Sequence, residues 1–155
     1  LLLLCKIDNG QFDGRARIDI KAATLKTLDD LKAVYEHKHI TVSTDMDAAP
    51  VAEMDESLAG ILLGNLLKNA FIHNTAGGTI SVKTDGRTLT IANTGAATKL
   101  DDSKIFERFY HSADKKSSTG LGLSLVKAIC NLYGFGLKYS FVDGKHTFSI
   151  TFSKK

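Results

Sequence analysis

The stretch Thr119-Gly120-Leu121-Gly122-Leu123 stands at the start of a segment with helical spacing that continues to Tyr133. Glycines at a helix start let backbone N–H groups approach an anion at the positive end of the helix dipole, so the stretch predicts a phosphate-binding site. It is not the dinucleotide fingerprint, because Leu125 stands where that motif has its third glycine. It is not a P-loop, since no Gly-Lys-Ser/Thr follows. Taken alone, the two glycines are equally consistent with close packing of a helix start.

Residues 95–119, immediately upstream, lack periodicity and are rich in Lys, Asp and Ser, which is typical of a loop. A long loop in a compact domain usually has a function, so we expect this one to move over a bound ligand. Lys115 and Lys116 could contact phosphates, although paired loop lysines are more often simply solvated. Phe106 and Phe109 would anchor such a loop to the domain, unless they form a small satellite of the core.

Residues 55–74 form the longest helical pattern, with Asp55 or Ser57 as the expected N-cap. The segment is apolar almost all round, which predicts a buried helix. Asn65 and Asn69 lie four residues apart and therefore on one side of it, although neither favours helix formation. An amide oxygen of this pair could hold Mg²⁺ while phosphates and water complete the shell. The alternative is that both amides cap neighbouring backbone within the core.

A hairpin is predicted next, with strands over residues 79–84 and 88–93 around the turn dipeptide Asp85-Gly86. Asn93 ends the second strand and is followed by Thr94-Gly95. An amide at this place could hydrogen-bond an adenine edge while the glycine admits the ring. Asn-Thr-Gly is equally an ordinary turn.

The remaining periodic segments complete a mixed set of elements. A further helix is predicted over residues 21–37, and further strands over residues 17–20, 40–44, 137–142 and 147–152, the last two around Asp143-Gly144. Antiparallel hairpins with few crossovers predict an α+β fold of two layers, in which a helical layer covers one face of a mixed sheet.

The composition fits one globular domain. The 155 residues include 43% hydrophobic and 24% charged residues, with a formal net charge of +3, which excludes a disordered or low-complexity chain. No zinc spacing surrounds the five histidines, and no Ser-His-Asp pattern appears. Aromatic and basic residues do not alternate as in single-strand binders, so nucleic acid is not an expected partner. No apolar run approaches a membrane span, and Leu1 to Leu4 are too few for a leader.

Four segments in order resemble the N, G1, F and G2 boxes of sensor histidine kinases: Asn65-Leu-Leu-Lys-Asn69-Ala70, Ile91-Ala-Asn93-Thr-Gly95, Ile105-Phe-Glu-Arg-Phe109 and Thr119-Gly-Leu-Gly-Leu123. Residues 1–12 also resemble the end of the second dimerisation helix, which leaves residues 13–155 for the catalytic ATP-binding domain. The resemblance implies the Bergerat fold, a mixed sheet backed by three helices with ATP under a flexible lid, and ATP and Mg²⁺ as cofactors.

Carried over by position, Asn69 resembles the Mg²⁺ ligand and Asn65 a neighbouring polar group. Asn93 and Gly95 resemble the adenine contacts. The triphosphate contacts implied by the resemblance are Thr119, Gly120, Leu121, Gly122 and Leu123.

The sequence departs from the family pattern at three positions. Asn93 stands where the family usually has Asp, Ala97 replaces a second G1 glycine, and Ile72 stands where a lysine is frequent. Lys115, Lys116 or Arg108 are the candidates to replace that lysine as phosphate contacts.

The resemblance further implies phosphoryl transfer from ATP to a histidine on an upstream dimerisation domain, in a homodimeric parent that signals to a response regulator. The fragment itself is expected to be cytoplasmic and without direct membrane contact, and its parent to be an inner-membrane sensor. The five histidines present do not lie in the family's phosphoacceptor helix pattern. Two alternatives stay open: another Bergerat-fold ATPase or serine kinase, and a degenerate nucleotide-binding or scaffold module.

Overall fold

A computed structural model of the chain describes residues 15–48, 50–95 and 122–152. Within these ranges it contains seven strands, three α-helices and one 3-10 turn. The strands are β1 (Ala16–Asp19), β2 (Thr41–Asp45), β3 (Val51–Met54), β4 (Thr79–Thr84), β5 (Thr88–Asn93), β6 (Gly136–Val142) and β7 (Lys145–Thr151). The helices are α1 (Ile20–Val34), α2 (Glu56–Ile72) and α3 (Gly122–Tyr133), with the 3-10 turn at Glu36–Lys38.

Five strands form one mixed sheet in the order β2-β4-β5-β7-β6. Only the β2–β4 pair is parallel among the described residues, and the other three pairs are antiparallel. The parallel pair requires a crossover, which β3 and α2 supply. Strands β1 and β3 form a separate antiparallel pair beside the helices. Because β5 lies in the centre of the sheet, its last residue, Asn93, is flanked by a strand on each side.

The core lies between the sheet and the helical layer. Helix α2 contacts both α1 and α3 as well as β5, so it is the central helix of that layer. Its buried side chains point to all of these neighbours: Leu58, Ala59, Leu62, Leu63, Leu66, Leu67, Ala70 and Phe71. The sheet contributes alternate residues from each strand, as period-two burial requires: Ile80, Val82, Leu89, Ile91, Phe148 and Ile150.

Local side chains fix the ends of the elements. Asp55 caps α2, because its Oδ1 accepts a hydrogen bond from the Leu58 N–H at 3.0 Å, whereas Ser57 lies exposed inside the first turn. At the β4–β5 turn, the backbone N–H groups of Arg87 and Thr88 donate to Asp85 and lower the pKa of its carboxyl. The expected cap and the expected hairpin turn are therefore both present.

The α+β prediction with three helices and a mixed sheet is confirmed. Three details of the element prediction are wrong. The strand β3 was not predicted, the helix predicted over 21–37 ends at Val34 before the 3-10 turn, and β7 starts at Lys145. The expected helix start at Gly120 and the expected loop over residues 95–119 lie, apart from Gly95, outside the described residues.

Candidate functional site

The end of β5 and the start of α3 both lie against the second half of the central helix, α2. A Cβ placed on Gly122 would lie 3.2 Å from Asn65 Oδ1, so the first residue of α3 packs against the side of α2. A Cβ placed on Gly95 would lie 2.7 Å from the His73 carbonyl oxygen. The candidate residues of α3 and β5 thus approach α2 at two points eight residues apart, Asn65 and His73.

Asn65 is half-buried, and its Nδ2 donates to the Ile61 carbonyl at 2.8 Å. That bond is the backbone cap considered as an alternative for this residue. Its Oδ1 faces the start of α3, where the glycine at position 122 leaves room for the close approach. The side chain therefore uses its donor inside α2 and presents its acceptor toward the predicted phosphate site.

Asn69 lies one turn further along the same side of α2 and is half-buried. Its backbone carbonyl accepts from the His73 N–H at 3.1 Å, which keeps this turn helical. An amide oxygen is a hard ligand of the kind Mg²⁺ takes, and Mg²⁺ in nucleotide sites keeps most of its shell from phosphates and water. The described residues contain no cluster of three or more His, Cys, Asp or Glu side chains. The amide oxygen of Asn69 is a donor of the chemical kind that fits Mg²⁺ bound to a nucleotide.

Asn93 is the most deeply buried polar group of the site, at 1% exposed. Its Nδ2 donates to the Thr94 carbonyl at 2.7 Å, and its Oδ1 has no partner among the described residues. A buried acceptor without a donor costs about 1–3 kcal/mol. A ligand that brings an N–H group to this oxygen recovers that energy, which fits the amino group of adenine.

A polar network holds the end of β5 in place. Asn74, which is buried, donates from Nδ2 to the Thr79 carbonyl at 3.0 Å and accepts the hydroxyl of Thr94. The same hydroxyl oxygen accepts the Thr79 N–H at 3.0 Å. A Cβ on Gly78 would collide with Asn74 Oδ1 and with the Thr94 hydroxyl, so glycine is needed there. Sequence reasoning missed Asn74, although a polar residue at a helix end, three residues before a pair of glycines, is the available signal.

A second missed residue is Lys38, in the 3-10 turn after α1. Its Nζ donates to the Phe71 carbonyl at 2.7 Å and to the Ile72 carbonyl at 3.0 Å. A cation at this place satisfies carbonyls that end the helix and opposes the negative end of its dipole. No sequence motif announces it, because the contact spans 33 residues.

Gly122 lies against Asn65, and Gly95 lies against Asn93. With these four, the described residues include six of the predicted site residues: Asn65, Asn69, Asn93, Gly95, Gly122 and Leu123. Leu123 is half-buried and packs against the core. The other predicted contacts lie outside the described residues, and so do the two aromatic anchors: Arg108, Lys115, Lys116, Thr119, Gly120, Leu121, Phe106 and Phe109. No helix in the described part of the chain is long and apolar enough to cross a membrane.

Comparison with known proteins finds one matching family model, described as the histidine kinase-, DNA gyrase B- and HSP90-like ATPase, over residues 54–155. The heme sensor protein HssS of Staphylococcus saprophyticus is 32% identical over 161 residues, which covers 99% of this chain and 35% of that protein. The sensor histidine kinase HprS of Escherichia coli is 30% identical over 134 residues, covering 83% of this chain and 29% of that protein. The chain thus spans about a third of the length of these curated relatives.

Solved structures share the fold. The mycobacterial sensor histidine kinase MprB superposes with a TM-score of 0.77 at 21% identity, covering 89% of this chain and 96% of that one. The catalytic domain of histidine kinase ThkA gives a TM-score of 0.78 at 20% identity, covering 90% and 95% respectively.

Proposed function

We propose how ATP is bound and used from the family to which this chain belongs, the histidine kinase-, DNA gyrase B- and HSP90-like ATPase family. Within that family, the chain is an ATP-binding catalytic domain of a two-component sensor histidine kinase. ATP lies between α2, the end of β5 and the start of α3, with its base at Asn93 and its phosphates at Gly122. In the full-length parent, the γ-phosphoryl group passes to a histidine on a dimerisation domain upstream.

The observation that carries the proposal is the buried Oδ1 of Asn93, which finds no hydrogen-bond partner in the part of the chain that the structure describes. The exocyclic amino group of adenine is a donor of the required kind. Gly95 lies beside it, packed so closely against the His73 carbonyl oxygen and His146 that a side chain has no room. Asn93 therefore selects the base by one hydrogen bond, and the backbone of Gly95 is the proposed second contact of the base.

At the phosphate end, Asn69 is the proposed Mg²⁺ ligand through its amide oxygen, and Asn65 orients the start of α3 toward the phosphates. The backbone N–H groups at the start of α3 are the proposed triphosphate contacts, together with Thr119 to Leu121. Bound Mg²⁺ supplies charge neutralisation for the β- and γ-phosphates. The residues of this chain thus act by positioning and by electrostatic complementarity rather than by covalent chemistry.

The partners are proposed from the same reasoning. Residues 1–12 would be the end of a dimerisation helix and residues 13–155 the catalytic domain, working in a homodimeric inner-membrane parent with a cytoplasmic kinase part. The phosphoryl group would continue to a response regulator. We expect this fragment to bind ATP without stable self-phosphorylation, because none of its five histidines lies in a phosphoacceptor helix pattern.

A degenerate module that binds nucleotide weakly, or serves as a scaffold, is the second candidate. It is favoured by the neutral Asn93 at the base position and by Ile72, an apolar residue three positions after Asn69, where the family often has a lysine. Both changes remove charge from the site, so this candidate predicts little or no ATP affinity.

Calorimetric titration of the chain with ATP, in Mg²⁺ and then in excess chelator, separates the two candidates. The kinase proposal expects binding that weakens when Mg²⁺ is removed. Asn69→Ala should lose this Mg²⁺ dependence while its far-ultraviolet circular dichroism stays unchanged. Asn131→Ala, the same substitution at an exposed position of α3, is the matched control. Absence of binding by the unmodified chain would favour the scaffold, and an unaltered Mg²⁺ response in Asn69→Ala would remove that residue from the site.

A further inference from the structure

His146 lies directly across the β5–β7 pair from Asn93. Both side chains are buried, with His146 at 5% exposed, and residues directly opposite in an antiparallel pair project from the same face of the sheet. A Cβ on Gly95 would lie 3.2 Å from His146 Cδ2. The imidazole edge therefore lies against both residues that the proposed function assigns to the base.

The ring is held in a fixed orientation from β6. Its Nδ1 is hydrogen-bonded to the Tyr139 hydroxyl at 2.8 Å, in buried surroundings. The Phe141 ring packs on it with centroids 4.8 Å apart. A buried hydrogen bond and a ring contact together allow the imidazole little freedom to turn or shift.

The amide orientation of Asn93 decides which base it accepts. With Nδ2 bonded to the Thr94 carbonyl, Oδ1 is presented as an acceptor, which suits the amino group of adenine. Guanine carries an oxygen at the same place and requires a donor. Reversing the amide would supply that donor, but it would place Oδ1 against the Thr94 carbonyl oxygen, two acceptors in contact. The reversed state therefore becomes accessible only if the end of β5 can shift.

We propose that the Tyr139–His146 pair prevents this shift and so sets the selectivity of the site for ATP over GTP. The proposal rests on the proposed function, since it assumes that the base binds at Asn93. His146 is in this view a positioning residue, which acts through Asn93 and Gly95. Neither its spacing nor its surroundings in the sequence indicate such a role, because β7 and β5 become neighbours only in the folded sheet.

Comparison of ATP and GTP affinities distinguishes positioning from mere support of the fold. A general loss of stability weakens both nucleotides together, whereas a mobile Asn93 weakens ATP and admits GTP. The quantity to measure is therefore the ratio of the two dissociation constants, by calorimetry in Mg²⁺ on the full chain, with the melting temperature recorded for each variant.

Three variants isolate the hydrogen bond. Tyr139→Phe removes only the hydroxyl, and His146→Phe keeps a ring but loses Nδ1. His146→Asn places an amide near the position of Nδ1 and keeps a partner for the hydroxyl. We expect the first two to reduce ATP preference about fivefold, which is the effect of one ordinary hydrogen bond. His146→Asn should restore the preference to within about twofold of the unmodified chain.

The results that would contradict the proposed function can be told apart from those that would contradict only this inference. If the unmodified chain binds neither nucleotide, the proposed function and this inference fail together. If it binds ATP but shows no preference over GTP, base selection by Asn93 and the role of the Tyr139–His146 pair fail together, while ATP binding itself stands. If Tyr139→Phe keeps the full preference, only the role of the Tyr139–His146 pair is overturned. Should a His146 variant not fold, Tyr139→Phe still decides, because it leaves the packed ring in place.

Discussion

Replacing Gly95 by alanine should destabilise the domain and impair nucleotide binding, because the new Cβ meets backbone rather than a movable side chain. It would lie 2.7 Å from the His73 carbonyl oxygen and 3.2 Å from His146 Cδ2. His73 ends α2, and its own N–H is bonded to the Asn69 carbonyl. The carbonyl therefore cannot move away without disturbing the last turn of the helix, and the end of β5 has to shift instead.

The size of the effect follows from the overlap. Ordinary contact begins at 3.4 Å, so the new methyl group requires a shift of 0.7 Å (3.4 minus 2.7). Forcing an extra methyl group into well-packed surroundings costs about 1–3 kcal/mol. The lower chain entropy of alanine in the unfolded state offsets about 0.4–1 kcal/mol of this. A net loss of about 1–2 kcal/mol corresponds to a melting temperature lower by roughly 3–8 °C for a domain of this size.

Thermal unfolding followed by circular dichroism, with ATP titration of the same preparations, measures both consequences. Gly60→Ala is the matched control, since a Cβ at this exposed position of α2 meets nothing within 4 Å. It should stabilise the domain by about 0.5–1 kcal/mol, because alanine favours helix over glycine. The reasoning is refuted if Gly95→Ala melts at or above the unmodified temperature and binds ATP normally.

Three further substitutions test other contacts. Lys38→Met should lower the free energy of unfolding, measured in urea, by about 1–3 kcal/mol, because it leaves two carbonyls at the end of α2 without their charged donor. Lys38→Arg should recover part of this loss. An unchanged urea midpoint in Lys38→Met would contradict the role of Lys38 in holding the end of α2. Burial raises the pKa of the Cys130 thiol from 9.0 to about 12. The contribution of this thiol to folding stability is therefore complete below its pKa in the unfolded chain, and it is lost as pH rises through its pKa in the folded chain. Cys130→Ala should therefore lose less stability than the unmodified chain between pH 9 and 11, and equal losses would count against a buried thiol. Asn93→Asp introduces the residue that is usual in the family at this position. It should destabilise the nucleotide-free domain by roughly 1–3 kcal/mol, because a buried carboxylate then faces the Thr94 carbonyl in place of the amide donor. A melting temperature above that of the unmodified chain would contradict this.

Elements defined by local signals could be predicted from the sequence. The strands β4 and β5 have the predicted bounds, because the Asp85 turn between them is stabilised by neighbouring backbone N–H groups. Helix α2 begins where Asp55 caps it. The strand β3 was missed because it is short and only Ala52 and Met54 are buried in it, and because its partner β1 lies far away in sequence. Pairing between two strands that are far apart in sequence leaves no signal in the local sequence of either strand.

In the candidate site, too, local spacing could be interpreted from the sequence, whereas contacts between distant elements could not. The common side of Asn65 and Asn69 follows from the helical repeat alone, so spacing was sufficient to pair them. The contact of Lys38 with the end of α2 and the position of His146 opposite Asn93 depend on which elements become neighbours in the fold. Single-sequence reasoning has no access to that order. It therefore named residues that are proposed to face the ligand, but it missed the residues that hold them in place.

Lys38, which is hydrogen-bonded to the Ile72 carbonyl, does not replace the lysine that is frequent in the family at position 72. Lys38 reaches the same turn of α2, but its ammonium group is bonded to the carbonyls of Phe71 and Ile72. Turning it toward a phosphate would leave the end of α2 without its cation and would disturb the turn that supports Gly95. We therefore propose that charge compensation for the triphosphate comes from the backbone N–H groups at the start of α3, together with Arg108, Lys115 and Lys116, which precede that start in the chain.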